Sequence, residues 1–330
     1  MASGKRVAVA LGSGGARGYA HIGALEVLAE RGHEIVTIAG TSIGALVGSF
    51  AASGRMEVLK EWALSLSQRD LLRLVDPSLG GPGVVRAERI INRIGDMLAD
   101  SQIEDFPIPF TAVATDLDAR REVWFQRGPA DVAIRASIAM PGVIHPVVVD
   151  GRMLVDGGLM NPIPIEPTRA VASDITLAIS LNGVRQSQGN AEAVPVSPLR
   201  TIIGSSETLT RGARRVRKST NEILETATMQ RLSARLVANR AAQEDDSDAD
   251  PLQRLLGTRL PKDPSTMEIF NRSFDTMSSL VARYRMASNP PDVLVTLPSD
   301  AARTLEFHRA AEMIALGRQL TTEALDAQGL

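Results

Sequence analysis

Twice within its first 52 residues the chain passes from a short apolar run through a glycine-bearing turn into a helix-like segment, and no other feature constrains the fold as much. The first passage is Val7-Ala8-Val9-Ala10-Leu11, then Gly12-Ser13-Gly14-Gly15-Ala16-Arg17-Gly18, then a segment with Ile22, Leu25 and Leu28 on one helical face. The second is EIVTIA over 34–39, then Gly40-Thr41-Ser42-Ile43-Gly44, then ALVGSFAA. Two strand–turn–helix units in succession imply α/β layering. A right-handed crossover makes the two strands parallel neighbours, so both turns emerge at the same carboxyl edge of the sheet. Ligand chemistry is expected there.

The same alternation continues to about residue 180. Strands are expected at Arg6–Leu11, Glu34–Ala39, Phe110–Thr115, Arg121–Gln126, Val147–Val149, Met153–Val155 and Ile175–Ser180. A proline- and glycine-rich break, 76–83, reads as a loop between two helical stretches. From about Pro198 to Gln243 the pattern is helical, the acidic run Glu244–Asp250 reads as a solvated loop, and a further helix is expected over about Thr266–Met286. Val293–Leu297 is a last strand. It leads through Ser299 and Asp300, either of which suits a helix cap, into an amphipathic helix ending near Ala327.

Composition removes several function classes. The 330 residues are 44% hydrophobic, enough for a large core. The formal net charge of −2 lacks the basic excess that nucleic-acid binding needs, so no nucleic-acid partner is expected. With no cysteine there is no disulfide, thiolate metal site or cysteine nucleophile. The N-terminal apolar run is too short for a signal peptide and no stretch reaches the roughly 18 apolar residues of a membrane span, so a cytoplasmic protein is expected.

The glycine turn at 12–18 frees backbone N–H groups to face a ligand, and the helix that follows adds a field favouring negative charge. It reads as an anion site. A dinucleotide fold is the rival, but G-x-G-x-x-G counted from Gly12 meets Arg17 where the last glycine belongs, and Glu34 opens the second strand where an acidic residue should close it. The second turn has the G-x-S-x-G form of a nucleophile elbow, with Ser42 as candidate nucleophile. Five residues alone are a weak match in a chain with 27 glycines; the strand–turn–helix context strengthens it. If the first turn faces Ser42, the N–H groups of Gly14 and Gly15 are the preferred donors to an oxyanion.

A serine nucleophile needs a base, and the four histidines are poor candidates. His21 lies on the apolar stripe of the first helix, His33 in a turn, His145 in a segment that could line a pocket, and His308 among apolar residues of the terminal helix. A serine elbow at position 42 also comes too early for the α/β-hydrolase order of serine, acid, histidine. Two carboxylates remain: Asp156, followed by Gly157-Gly158 at a strand end, and Asp150, followed by Gly151 in what reads as a hairpin turn. Local pattern does not choose between them.

Taken together, Ser13-Gly14-Gly15-Ala16-Arg17-Gly18, Gly40-Thr41-Ser42-Ile43-Gly44 and Asp156-Gly157-Gly158 resemble, in order, the oxyanion, elbow and Asp-Gly-Gly/Ala motifs of the patatin-like phospholipase family. The resemblance covers roughly 6–170 and is nearest to small bacterial members related to neuropathy target esterase. Similarity extends to Ala20-His21-Ile22-Gly23, Ala114-Thr115-Asp116-Leu117, Ser137–Gly142 and Asn161-Pro162-Ile163-Pro164. Ser13 departs from the glycine many members carry. What the resemblance implies is a three-layer α/β fold, with a mostly parallel sheet flanked by helices and a helical C-terminal extension. Its catalytic core would be 6–170, followed by a sheet continuation and loop over 171–200, a helical region over 200–290, and a strand and helix over 291–330 packing back on the core. It further implies a carboxylic ester hydrolase acting on lipids, with a Ser42–Asp156 dyad, Gly12, Arg17, Gly18, Gly40, Gly44, Gly157 and Gly158 supporting it, and neither cofactor nor metal. Arg17 could hold the glycine turn in shape or meet a lipid phosphate, and the first is favoured because an arginine at a helix start more often makes local structural bonds.

The implied partner is a lipid or other fatty-acyl ester. An acyltransferase using the same dyad, or a regulatory protein acting by contact through 200–290, are the alternatives. Residues 209–227 carry an apolar stripe (Leu209, Ala213, Val216, Ile223, Ala227) beside a basic one (Arg211, Arg214, Arg215, Lys218), a pattern suited either to covering the protein's own core or to peripheral contact with an anionic inner membrane surface.

Overall fold

A computed structural model describes residues 4–74, 83–183 and 266–330. In chain order its elements are β1 (Arg6–Leu11), α1 (Ala20–Glu30), β2 (Glu34–Thr41), α2 (Ile43–Ala52), α3 (Met56–Ser65), α4 (Gln68–Leu74), β3 (Gly83–Val85), α5 (Glu88–Leu98), β4 (Phe110–Asp116) and β5 (Arg121–Phe125). They continue with α6 (Ala130–Ser137), β6 (Gly142–Ile144), β7 (Val147–Val149), β8 (Arg152–Asp156), β9 (Ile175–Gly183), α7 (Thr266–Ser288), β10 (Val293–Pro298) and α8 (Ala310–Ala327). The helical reading of 198–243, the stripes of 209–227, the acidic run 244–250 and all but the last residue of the 76–83 break lie outside the described residues.

The main sheet follows the order β10-β9-β1-β2-β4-β8-β7, with β5 paired to β4 off that path. The neighbours from β10 to β4 run parallel, while β5, β8 and β7 are antiparallel additions. Alternation along the central strands separates two packed faces. Val7, Val9 and Leu11 of β1 and Leu177, Ile179 and Leu181 of β9 join a large core with α1, α2, α5 and α8. Ala10 and Ala178 face the other way, where Ile163, Ile165 and Ala282 of α7 cover them. Helices thus flank the sheet on both sides, the three-layer α/β arrangement expected. No helix among the described residues is long and apolar enough to cross a membrane.

Each expected strand of the main sheet is present, within two or three residues at its ends. Asp150 and Gly151 form the tight turn between β7 and β8, with φ of 50° and 73°. Positive φ at both central residues is what a two-residue hairpin turn of matching twist demands. Two features differ from expectation. A separate two-stranded parallel sheet joins β3 to β6, each three residues long and too short to show a period. The terminal helix begins at Ala310 rather than near Ser299 or Asp300. The intervening backbone is committed elsewhere: Ser299 O accepts from the Arg17 guanidinium, and Thr304 O accepts the Ala16 N–H at 2.9 Å.

Helix α8 lies on α1 at backbone contact. A Cβ added at Gly317 would stand 2.0 Å from Ala20 O, and one added at Gly23 would stand 2.1 Å from Ile314 O. Any side chain at 317 must push the two helices apart just behind the glycine turn. Gly317→Val is therefore expected to destabilise the fold by about 3 kcal/mol, the upper range for overpacking, while Ala315→Val on the exposed side of α8 changes it by less than about 0.5 kcal/mol. Urea unfolding midpoints measure both, and equal midpoints for the two variants would contradict this helix contact.

Candidate active site

Strand β4 brings two distant segments together. Its edge pairs with β2 as far as Val113, opposite Thr41, and from Ala114 onward the same edge pairs with β8, starting at Asp156. The other edge is taken by β5 over Ala112–Asp116. β2 runs parallel to β4 and β8 antiparallel, so their carboxyl ends meet head to head beside consecutive residues of β4. Ser42, one residue past Thr41, and Asp156, the last residue of β8, are placed together by topology alone.

At that junction Ser42 Oγ donates to Asp156 Oδ2 at 2.5 Å. Ser42 has φ 58° and ψ −123°, a conformation that costs an L-residue about 1–3 kcal/mol. Its surroundings enforce it: the N–H donates to Ser137 Oγ at 2.8 Å, Ser137 Oγ donates to Val113 O at 2.6 Å, and the Ser42 carbonyl accepts Ala45 N and Leu46 N to open α2. Gly44 is required two residues on, because a Cβ there would lie 2.1 Å from Leu11 O. Asp156 Oδ1 accepts Gly158 N at 2.7 Å, and Asp156 N donates to Ala139 O at 2.9 Å. Gly157 packs against Val113 O, and Gly40 against Gly44 O.

The glycine turn lies across from this pair. Gly12 N donates to Ile179 O, Ser13 N to Pro162 O and Ala16 N to Thr304 O. Between them, the N–H groups of Gly14 and Gly15 donate to no described group. Gly15 has φ 60°, and a Cβ on it would lie 2.4 Å from Thr304 O. Arg17 is buried, and its guanidinium is bonded within the chain: Nε donates to Gly14 O at 3.2 Å, Nη1 to Ser299 O and Nη2 to Asn182 Oδ1 at 3.1 Å. Gly18 seats against Ile43.

None of the four histidines bonds to Ser42 or Asp156. Buried His21 places Nε2 2.9 Å from Gly12 O, and burial pushes its pKa down to about 4 despite that bond. His33 Nδ1 accepts Lys5 N, His308 meets Gln68, and His145 is absent from the cavity wall. Asp150 stays in its hairpin turn, six residues from Asp156. Among the described residues no cluster of His, Cys, Asp or Glu could hold a metal ion. Ser137 and Asn161, whose carbonyl accepts Thr41 Oγ1 at 2.8 Å, belong to the site too. Their segments stood out by similarity, but nothing local marked these two side chains.

The sequence profile described as patatin-like phospholipase matches residues 9–169. An uncharacterised NTE family protein of Mycobacterium tuberculosis is 46% identical over 346 residues, covering 98% of this chain and 92% of that protein. The chain belongs to the patatin-like phospholipase family. Patatin-like phospholipase domain-containing protein 7 of Mus musculus is 32% identical over 193 residues, covering 55% of this chain and 14% of that protein. Among solved structures, VipD from Legionella pneumophila aligns with a TM-score of 0.42 at 11% identity, covering 98% of this chain and 67% of that one.

In this patatin-like protein a cavity of about 220 Å³ opens beside Ser42 and Asp156, walled chiefly by Leu46, Trp62, Ile94, Ile138, Met140 and Phe307. A much smaller recess also reaches Ser42 and Asp156, with Ser13, Arg17, Asn182 and Ser278 among its lining residues. Burial raises the Asp156 pKa to about 6, with hydrogen bonds from Ser42 and Gly158 pulling the other way. An acid whose folded pKa lies above its unfolded value, about 3.9, binds its proton more tightly when folded, so its ionisation erodes stability as pH rises from about 4 to about 6. Asp156→Asn is expected to melt above wild type at pH 8, with the gap closing toward pH 4. Thermal unfolding across that range measures it, and a gap independent of pH would contradict a buried carboxylate with a raised pKa.

Proposed function

We propose that this chain is a serine lipid acyl hydrolase in which Ser42 is the nucleophile, Asp156 the sole general base, and the Gly14 and Gly15 N–H groups the oxyanion hole. The observation that carries the reading is the 2.5 Å hydrogen bond from Ser42 Oγ to Asp156 Oδ2 at the edge of an apolar cavity. Ser42 Oγ attacks the ester carbonyl carbon as its proton passes to Oδ2. Charge gathers on the carbonyl oxygen, where preorganised N–H donors are worth about 3–4 kcal/mol each. Arg17 aims one of them: it holds Gly14 O, and across a trans peptide the Gly15 N–H then points the opposite way. Collapse breaks the C–O bond, and Asp156 returns the proton to the departing alcohol. Water, deprotonated by the same carboxylate, then attacks the acyl-enzyme, releasing the acid and restoring Ser42. Family membership supports lipid acyl hydrolysis in general.

The cavity sets the acyl group. An apolar space of about 220 Å³ has room for several methylenes of an acyl chain. Each buried methylene contributes about 0.8 kcal/mol, up to about fourfold in rate.

Hydrolysis of a p-nitrophenyl ester series tests these assignments. Ser42→Ala is expected to abolish turnover and Asp156→Asn to lower it by about 10²–10⁴-fold, while Asp150→Asn and His145→Ala stay close to wild type. Retention of rate by Asp156→Asn with loss in His145→Ala or Asp150→Asn would mean that another group is the base. With wild type, kcat/KM is expected to climb with acyl-chain length from acetate and to level off once the cavity is filled, and to drop about tenfold per unit below pH 6 as Asp156 takes up its proton. A rate independent of chain length would remove the cavity from the reading.

A further inference from the structure

The short segment after Asp156 is bonded to both glycine-bearing turns of the site. Asn161 O accepts the Thr41 hydroxyl at 2.8 Å and Pro162 O accepts the Ser13 N–H at 2.9 Å, so the residue before the nucleophile and the glycine turn are both fastened to it. The segment is in turn held from outside by α7. Ser278 Oγ donates to Gly158 O at 2.8 Å, and seven residues further along the same face Arg285 Nη1 reaches Met160 O at 3.4 Å.

Arg285 also joins two carboxylates. Its Nη1 lies 2.6 Å from Glu122 Oε1 on β5 and its Nη2 3.0 Å from Glu166 Oε1, with the two glutamate side chains only 17% and 21% exposed. These carboxylates clasp buried Asn161 between them, its Nδ2 donating to Glu122 Oε2 at 2.8 Å and to Glu166 Oε2 at 3.3 Å. A planar guanidinium presents two N–H faces at a fixed spacing, which a point charge on a flexible stem does not. Without it, the two half-buried carboxylates keep only neutral donors, Asn161 Nδ2 to both, Trp124 Nε1 to Glu122 and Asn289 Nδ2 to Glu166, and each charge repels the other in a medium of low polarity.

We infer that Arg285 is a positioning residue for the Ser42–Asp156 pair: by joining Glu122 and Glu166 around Asn161, it fixes the turn carrying Asp156 against Thr41 and Ser13. The inference rests on the proposed hydrolase chemistry and adds to it a residue on a helix beyond the matched stretch 9–169. Arg285 contacts no reacting atom. It acts through geometry, and a misplacement of about 1 Å at a reacting pair can cost about 10²-fold in rate.

The test compares full-length wild type, Ser42→Ala, Arg285→Met, Arg285→Lys and Arg285→Met/Glu122→Gln on p-nitrophenyl octanoate, with the folded fraction of each followed by circular dichroism. Arg285→Met is expected to lower kcat by about 10–100-fold with KM within about twofold. Arg285→Lys falls between, because it keeps the charge but loses the fork. The double variant is expected to recover at least about fivefold of the lost kcat, since removing one carboxylate relieves the repulsion that losing Arg285 creates. If Arg285→Met does not stay folded at the assay temperature, Arg285→Lys against wild type reads the same step. A folded Arg285 variant with wild-type kcat, a loss confined to KM, or a double variant no better than the single one overturns the positioning role alone. Wild type no faster than Ser42→Ala overturns the hydrolase reading itself, and the inference with it.

Discussion

One edge of one strand organises the site. β4 accepts β2 from one direction and β8 from the other, and the handover between Val113 and Ala114 sets Thr41 and Asp156 side by side. A hydrogen bond between residues 114 positions apart then needs no flexible reach from either side chain. Everything else around the pair can be read as bracing this junction. Ser137 holds the Ser42 backbone to Val113, Ala139 holds the Asp156 N–H, and Asn161 ties the turn after Asp156 back to Thr41.

The junction is costly by itself. Ser42 occupies a left-handed backbone conformation and Asp156 is a carboxylate almost wholly removed from water. Neither would persist unless its surroundings over-determined it. The bracing comes from far along the chain: residues 299–304 hold the glycine turn through Arg17 and Ala16, and α7 holds the turn after Asp156. The C-terminal elements are thus part of how the N-terminal motifs keep their shape.

This division also explains which features were legible in the sequence. Strand positions, the two glycine turns and the Asp150-Gly151 hairpin are written in local patterns of period two and in glycine placement, and those were readable from residues alone. Asp156 against Asp150 was not, since both precede glycine after an apolar run; only the antiparallel pairing of β8 with β4 separates them, and the family resemblance stood in for that knowledge. Ser299 and Asp300 look like caps, yet α8 starts only at Ala310, and the Ser299 carbonyl is taken by Arg17, 282 residues away. Ser137 was hidden for a similar reason. Ser137 Oγ meets the Ser42 N–H and the Ala139 carbonyl meets the Asp156 N–H, while Ile138 and Met140 line the cavity, an assignment decided by contacts no short window contains.

On the proposed chemistry, the same burial that weakens the fold is what lets a lone carboxylate act where a histidine usually would. An aspartate near its ordinary pKa of about 3.9 is a poor base toward a serine hydroxyl, because proton transfer to it is too far uphill. Raised to about 6, it gains roughly two decades of basicity yet stays mostly ionised at neutral pH. Raising it much further would leave it protonated and idle. The hydrogen bonds from Gly158 and Ser42 set that limit, since each favours the charged form against desolvation. The glycines after Asp156 therefore do more than turn the chain: the Gly158 N–H adds to the Ser42 hydroxyl in favouring the charged form of a deeply buried carboxylate.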